Sequence, residues 1–269
     1  MNKIRVPDIV KKKKDKQKLV MLTSYDAITA RIVDEAGVDI ILIGDSLGNV
    51  VQGQDTTLPV SIEEMIYHTR LVSRGAKRAH ICADMPFMSY QTSKQHATEN
   101  AGRLMKEGFA ESIKLETTDE YIETIKSIVS AGIPVMGHIG LCPQSYHAMG
   151  GYKIQGRDKK EKNRYIKLAK DTESAGAYSI VLEGIPLELA KAVTKSVSIP
   201  TIGIGAGPHC DGQVLVINDL VGLHNSRVPK FVKQYADFRD LMTKAVKSYS
   251  ADVMNSKFPT DENSFSWSN

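Results

Sequence analysis

Acidic side chains recur at the ends of apolar runs. "IILIGDSLG" (40–48) carries four apolar residues into Gly44, Asp45 and Ser46, and "HICADMP" (80–86) finishes on Asp84. "SIKLET" (112–117) carries Lys114 and Glu116, and "SIVLEG" (179–184) carries Glu183. Short apolar runs of this kind read as buried strands of a parallel sheet. A carboxylate at the mouth of a buried strand needs a partner, because burying an unpaired charge is costly. Taken singly, Asp45 could cap a helix, Asp84 could cap the "MPFMSY" turn, and Lys114 with Glu116 could be a structural ion pair. Together, three carboxylates from neighbouring strands crowd one rim, and like charges that close call for a cation.

The donors are oxygens, and neither a Cys pair nor a His pair has metal-ligand spacing. That selects a hard ion, Mg²⁺ or Mn²⁺. Mg²⁺ wants six ligands, so two or three carboxylates leave room for a bidentate substrate. An α-keto acid fits that opening through its keto and carboxylate oxygens, and the metal then stabilises an enolate as a Lewis acid. Lys114 adds positive charge near those oxygens. Glu183 lies further round the rim, where it reads as a base. His138, at the end of "PVMGHIG", is a site candidate against the alternative of a satisfied core histidine. His68, His80 and His96 read as structural, Cys82 as packing, and the "GIGAG" run at 203–207 as a tight turn.

Eight strands must position these groups, and the sequence places them at 18–25, 40–46, 80–86, 112–117, 134–140, 179–184, 200–207 and 213–219. Amphipathic stretches lie between most of them. Capping boxes are expected at Ser61 with Glu64 and at Thr92 with Gln95. The phrase "EAGVDIIL" returns as "SAGIPVMG", "SAGAYSIV" and, more loosely, "KEGFAESIK". Each is a helix end, a glycine stop and a strand, and glycine suits a left-handed C-cap. Alternating strands and helices imply a parallel sheet with right-handed crossovers. Eight of them in 269 residues predict an α/β fold, a closed (βα)8 TIM barrel, as a single catalytic domain over 1–269 with an N-terminal helical segment and a polar C-terminal tail. The runner-up is an open doubly wound sheet, but "LTSYDAITA" stands where that fold wants a glycine-rich phosphate turn. Residues 141–164 form the longest departure from the rhythm and read as a substrate loop or lid.

Net charge is +4 from 35 basic and 31 acidic residues. This balance argues against nucleic acid and suits an anionic small substrate. The one basic cluster, "KKKKDKQK" at 11–18, reads as a solvated helix end. Three scattered cysteines argue against a disulfide framework or a zinc knuckle and favour a reducing cytoplasm. The N-terminus lacks the apolar core of a signal peptide, and no run approaches the ~20 apolar residues of a membrane span.

The combined motifs resemble the ketopantoate hydroxymethyltransferase family. The stretches that carry this are "MLTSYDAITARIVDEAGVDIILIGDSLGNVVQGQDTTLPV", "YHTRLVSRGA", "ADMPFMSY", "IKLE", "PVMGHIGLCPQS", "GGYKIQGR", "VLEGIP" and "PTIGIGAG" followed by "DGQVLV". The resemblance implies a barrel of the phosphoenolpyruvate/pyruvate type. It implies transfer of a hydroxymethyl group from 5,10-methylenetetrahydrofolate to 3-methyl-2-oxobutanoate, giving 2-dehydropantoate for pantothenate synthesis. It puts Mg²⁺ ligands on Asp45, Asp84 and Glu116, the last directly or through water. It puts keto-acid contacts on Asp45, Ser46, Asp84, Lys114 and His138, and the proton acceptor on Glu183. It also implies a homodecamer of two stacked pentamers. Departures from the family pattern fall at Cys142, at Gly184 with Ile185, and at Asn263. Rival readings are a Schiff-base aldolase using Lys114, a lyase with a catalytic cysteine in the loop after strand five, and a non-catalytic barrel that binds a keto acid.

Overall fold

The computed structural model describes residues 2–224 and 228–267. The chain divides into two compact units, 1–217 and 218–269. The first unit opens with α1 (Val6–Lys14) and then alternates strand and helix. Its strands are β1 (Leu19–Thr23), β2 (Ile40–Ile43), β3 (His80–Asp84), β4 (Ser112–Glu116), β5 (Val135–Gly140), β6 (Ser179–Glu183), β7 (Thr201–Ile204) and β8 (Gly212–Leu215). They close into a barrel in chain order. Every neighbouring pair is parallel, and Met21 opposite Val214 shuts the ring. The expected barrel is therefore present, and each expected strand overlaps an observed one, although the eighth, expected at 213–219, ends at Leu215 and gives way to a helical turn at Ile217–Leu220.

Side chains of a strand alternate between faces, and the core splits accordingly. Leu19, Met21, Ile40, Leu42, Cys82, Met136, Val181, Ile202 and Val214 fill the barrel interior. Ile41, Ile43, Ile81, Ile113, Leu115, Val135, Ile139 and Leu182 face outward in a second cluster. That cluster also holds Ala30 and Val33 of α2 (Ala27–Glu35), Met65 and Val72 of α4 (Ile62–Gly75), and Ala97 and Leu104 of α5 (Lys94–Lys106). Ile125 of α6 (Ile122–Ser130), Leu168 of α8 (Lys162–Ser174) and Leu189 of α9 (Leu187–Ser196) complete it. Two single turns, α3 (Leu47–Val50) and α7 (Tyr146–Met149), follow β2 and β5.

Several local details differ from expectation. The Ser61–Glu64 capping box is formed, with Ser61 accepting from the Glu64 N–H and Glu64 accepting from the Ser61 N–H. The next helix, α5, is capped one residue later than expected. Ser93 accepts from the His96 N–H, while Thr92 bonds the His96 ring. The returns at Gly37, Gly132 and Gly176 are left-handed, but in "KEGFAESIK" it is Phe109, at φ 63°, that takes this conformation. A Cβ on Gly108 would lie 2.7 Å from the Leu104 carbonyl oxygen, so that glycine serves close approach instead.

The basic cluster is not a freely solvated helix end. Ile9 of α1 is fully buried among the interior residues, worth roughly 1.5–3 kcal/mol of burial. Lys12 pairs with Asp39 at 2.5 Å, and Lys13 bonds the carbonyls of Thr194 and Ile199 and pairs with Asp211 at 3.0 Å. The lysines therefore tie α1 across the N-terminal end of the barrel. A polar layer sits beside this plug, where His80 Nε2 lies 2.8 Å from Ser112 Oγ, itself 2.9 Å from the Tyr178 hydroxyl.

In the second unit, α10 (Ile217–Leu220) begins at the boundary and α11 (Phe238–Met254) follows. The Asp237 carboxylate caps α11 by accepting from the Asp240 N–H. The chain beyond carries one 3-10 turn, Asp261–Asn263. Among the described residues no helix is long and apolar enough to cross a membrane.

Candidate active site

Alternation puts Asp84, Lys114, Glu116, His138 and Glu183 on the interior face, at the C-terminal ends of their strands. Register brings them level, with Asp84 opposite Lys114 and Glu116 opposite His138. Gly140 stands opposite Glu183. Its φ of 109°, and the 2.2 Å at which a Cβ would meet the Glu183 carbonyl oxygen, explain why only glycine fits there. Asp45 lies two residues past β2 and is also buried.

These groups form a connected line across the mouth. Asp84 Oδ2 accepts from the Asp45 N–H at 3.1 Å. Asp84 Oδ1 pairs with Lys114 Nζ at 2.9 Å, yet it is buried and makes no aligned hydrogen bond. Lys114 Nζ lies 3.4 Å from His138 Nδ1. His138 Nε2 lies 3.2 Å from Glu183 Oε2, without hydrogen-bond alignment. An ammonium has only protons to give, so Nδ1 accepts and the ring proton sits on Nε2, facing Glu183. Ser46 joins from β2's end, its hydroxyl 2.9 Å from the Tyr25 hydroxyl. The sequence-expected residues are thus all brought to one mouth.

Burial dominates the electrostatics. It raises the Asp45 carboxyl above its ordinary value and pushes Asp84 up to about 7, with Lys114 opposing both shifts. Burial, then Asp45, lifts Glu116 well above the usual range. Burial lowers the Lys114 pKa, but Asp84 and Asp45 outweigh it and raise it. Burial and Lys114 lower His138, so its ring is neutral near pH 7. Three buried acids thus share one ammonium. An all-oxygen set of three buried acids facing one ammonium suits a hard divalent ion. Among the described residues no three His, Cys, Asp or Glu side chains stand spaced to hold a metal together.

Two rival chemistries lose ground. A protonated Lys114 is a poor Schiff-base nucleophile. Burial pushes the Cys142 thiol well up, and Glu116 adds to this, which disfavours the thiolate a catalytic cysteine needs.

The sequence reading assigned no role to Gln144. This buried residue follows β5 in a 3-10 turn, Pro143–Ser145. Its backbone N–H donates to Glu116 Oε1 at 2.8 Å, and its side-chain Nε2 donates to Asp45 Oδ2 at 2.9 Å. Tyr90 was also missed, and its hydroxyl donates to Gln144 Oε1 at 2.8 Å. The available signal was an amide just after a buried strand, at the start of the long loop.

Eight parallel strands closed in chain order, with buried acids at their C-terminal ends, make this chain a (βα)8 barrel. Phosphonopyruvate hydrolase, solved with oxalate and Mg²⁺, overlays at a TM-score of 0.62 with 11% identity, covering 97% of this chain and 93% of that one. 2,3-Dimethylmalate lyase overlays at 0.58 with 15% identity, covering 95% and 88%. At those identities the likeness is one of fold. The chain belongs to the ketopantoate hydroxymethyltransferase family, whose profile matches residues 3–261. A 3-methyl-2-oxobutanoate hydroxymethyltransferase of Geobacter metallireducens is 56% identical over 259 residues, 96% of this chain and 97% of the relative. One from Thermoanaerobacter sp. (strain X514) is 51% identical over 263 residues, 98% and 96% of the two chains.

Proposed function

We infer that this chain transfers a hydroxymethyl group from 5,10-methylenetetrahydrofolate to 3-methyl-2-oxobutanoate, giving 2-dehydropantoate in pantothenate synthesis. Relatives of that name at 50–56% identity support the reaction. The observation in the site that carries it is the line Asp84, Lys114, His138, Glu183, which sets an acid–ammonium pair and a carboxylate base on opposite sides of one mouth.

In this reading Asp45, Asp84 and Glu116 hold one Mg²⁺, Glu116 directly or through water. The ion supplies Lewis-acid stabilisation of negative charge developing on the keto oxygen. Asp45, Ser46, Asp84, Lys114 and His138 contact the keto acid, with the Lys114 ammonium drawing its oxygens inward. Glu183 takes the proton from the third carbon, leaving an enolate. Water adds to the methylene carbon of the folate and supplies the hydroxyl oxygen, both C–N bonds of that carbon break with tetrahydrofolate as the leaving group, and the enolate carbon bonds to the released one-carbon unit. His138 keeps its Nε2 proton toward Glu183, so it steadies the carboxylate and does not compete for the proton. The 141–164 loop covers the mouth during transfer. The same reading makes the protein a cytoplasmic homodecamer in which residues 1–269 serve one catalytic function.

An assay of purified protein with 3-methyl-2-oxobutanoate, 5,10-methylenetetrahydrofolate and Mg²⁺ tests this. Formation of 2-dehydropantoate is expected. Metal-dependent keto-acid binding without turnover would favour the non-catalytic barrel.

A further inference from the structure

Gln144 is 6% exposed, and every hydrogen-bonding site of its side chain is used. Nε2 donates to Asp45 Oδ2 and to the Met85 carbonyl, both at 2.9 Å. Oε1 accepts from the Tyr90 hydroxyl at 2.8 Å and from Gln91 Nε2 at 3.1 Å. The amide cannot be turned round. A carboxylate and a carbonyl only accept, and the Gln91 amide nitrogen only donates, so Nε2 must face Asp45. The backbone N–H meanwhile holds Glu116 Oε1. One residue therefore grips two of the three crowded acids, from a loop that belongs to neither of their strands.

We propose that Gln144 is a positioning residue that fixes the carboxylates of Asp45 and Glu116 for a divalent ion. This rests on the metal reading given above. A buried carboxylate with one oxygen pinned by an amide donor keeps its other oxygen turned in one direction. Donors of this kind order a ligand before the ion arrives, which raises metal affinity. The hydrogen bonds to Tyr90, Gln91 and Met85 make the pin rigid, since they anchor the amide to the loop after β3.

The test is Mn²⁺ binding to the full chain, followed by the electron paramagnetic resonance signal of free Mn²⁺, for wild type and Gln144→Met. Methionine keeps the length of the side chain and the backbone N–H to Glu116 but has no amide. The Mn²⁺ dissociation constant is expected to rise about 10–100-fold. A merely structural loss would lower the melting temperature and leave the affinity of the folded protein alone. A rise below about tenfold therefore overturns the proposal, whatever the melting temperature does. If Gln144→Met does not fold, Gln144→Asn carries an amide one methylene too short to reach Asp45, and the same threshold applies. Wild-type protein that binds no Mn²⁺ would overturn the metal reading itself, and this assignment with it.

Discussion

His138 and Glu183 approach each other from adjacent strands, Nε2 to Oε2 at 3.2 Å, although neither is the other's partner in the β-ladder. The register puts Gly140 opposite Glu183 and Val181 opposite His138, so the contact runs diagonally across the interior face. With Lys114 holding Nδ1, the histidine offers Glu183 a proton and is a poor acceptor itself. On the function proposed above, the carboxylate is the base of this pair.

Glu183→Gln is expected to lower hydrogen–deuterium exchange at the third carbon of 3-methyl-2-oxobutanoate, measured without folate, by roughly 10²–10⁴-fold. Keto-acid and Mg²⁺ affinity should change little. Exchange at the wild-type rate would move the base elsewhere, with His138 the first alternative.

Asp84→Asn removes the carboxylate that pairs with Lys114 through Oδ1 and accepts from the Asp45 N–H through Oδ2. Most metal-dependent activity should vanish while the circular dichroism spectrum persists. If the variant recovers wild-type turnover after chelation and return of Mg²⁺, Asp84 is not a ligand.

His80 supplies a pH test of stability. Burial lowers its pKa from 6.5 to about 4 in the folded protein. Between those values the unfolded chain binds the extra proton, so the stability due to neutral His80 is complete above pH 6.5 and is lost as pH falls toward 4. The shift corresponds to about 3 kcal/mol. The buried acids at the other end of the barrel titrate with the opposite sign, so the comparison must be between proteins. The free energy of urea unfolding in His80→Gln, subtracted from that of wild type, should shrink by about that amount between pH 7 and pH 4. A difference that does not change with pH would show that His80 is not held neutral.

Assembly is directly measurable. Light scattering is expected to report a particle of ten chains. A species at the 29.6 kDa of a single chain would exclude the decamer.

The sequence carried the barrel because its strands are short apolar runs bounded by glycine or proline, and that signal is local. It carried Asp84, Lys114, Glu116, His138 and Glu183 for the same reason, since alternation along a strand decides which side chains face inward. Gln144 was hidden because its partners Asp45 and Met85 are 99 and 59 residues away in the chain. Nothing in "LCPQS" says where that amide points. The misplaced cap at Thr92 came from two adjacent residues that both make good N-caps, Thr92 and Ser93. The lysines of α1 were misread because a charge run normally means solvent, whereas the partners of Lys13 are carbonyls 181 and 186 residues away and the still more distant Asp211.

Closure of the ring through Met21 and Val214 makes the first strand wait for the last. During synthesis β1 can pair with β2 early, while its other edge keeps its N–H and C=O groups unpaired until β8 leaves the ribosome. The Lys13 contacts to Thr194 and Ile199 are equally late. Contacts between distant parts of a chain slow folding, and an open strand edge is a template for another chain. The nascent protein therefore carries β1 as a site for mispairing throughout this interval, which ends only when β8 docks on it.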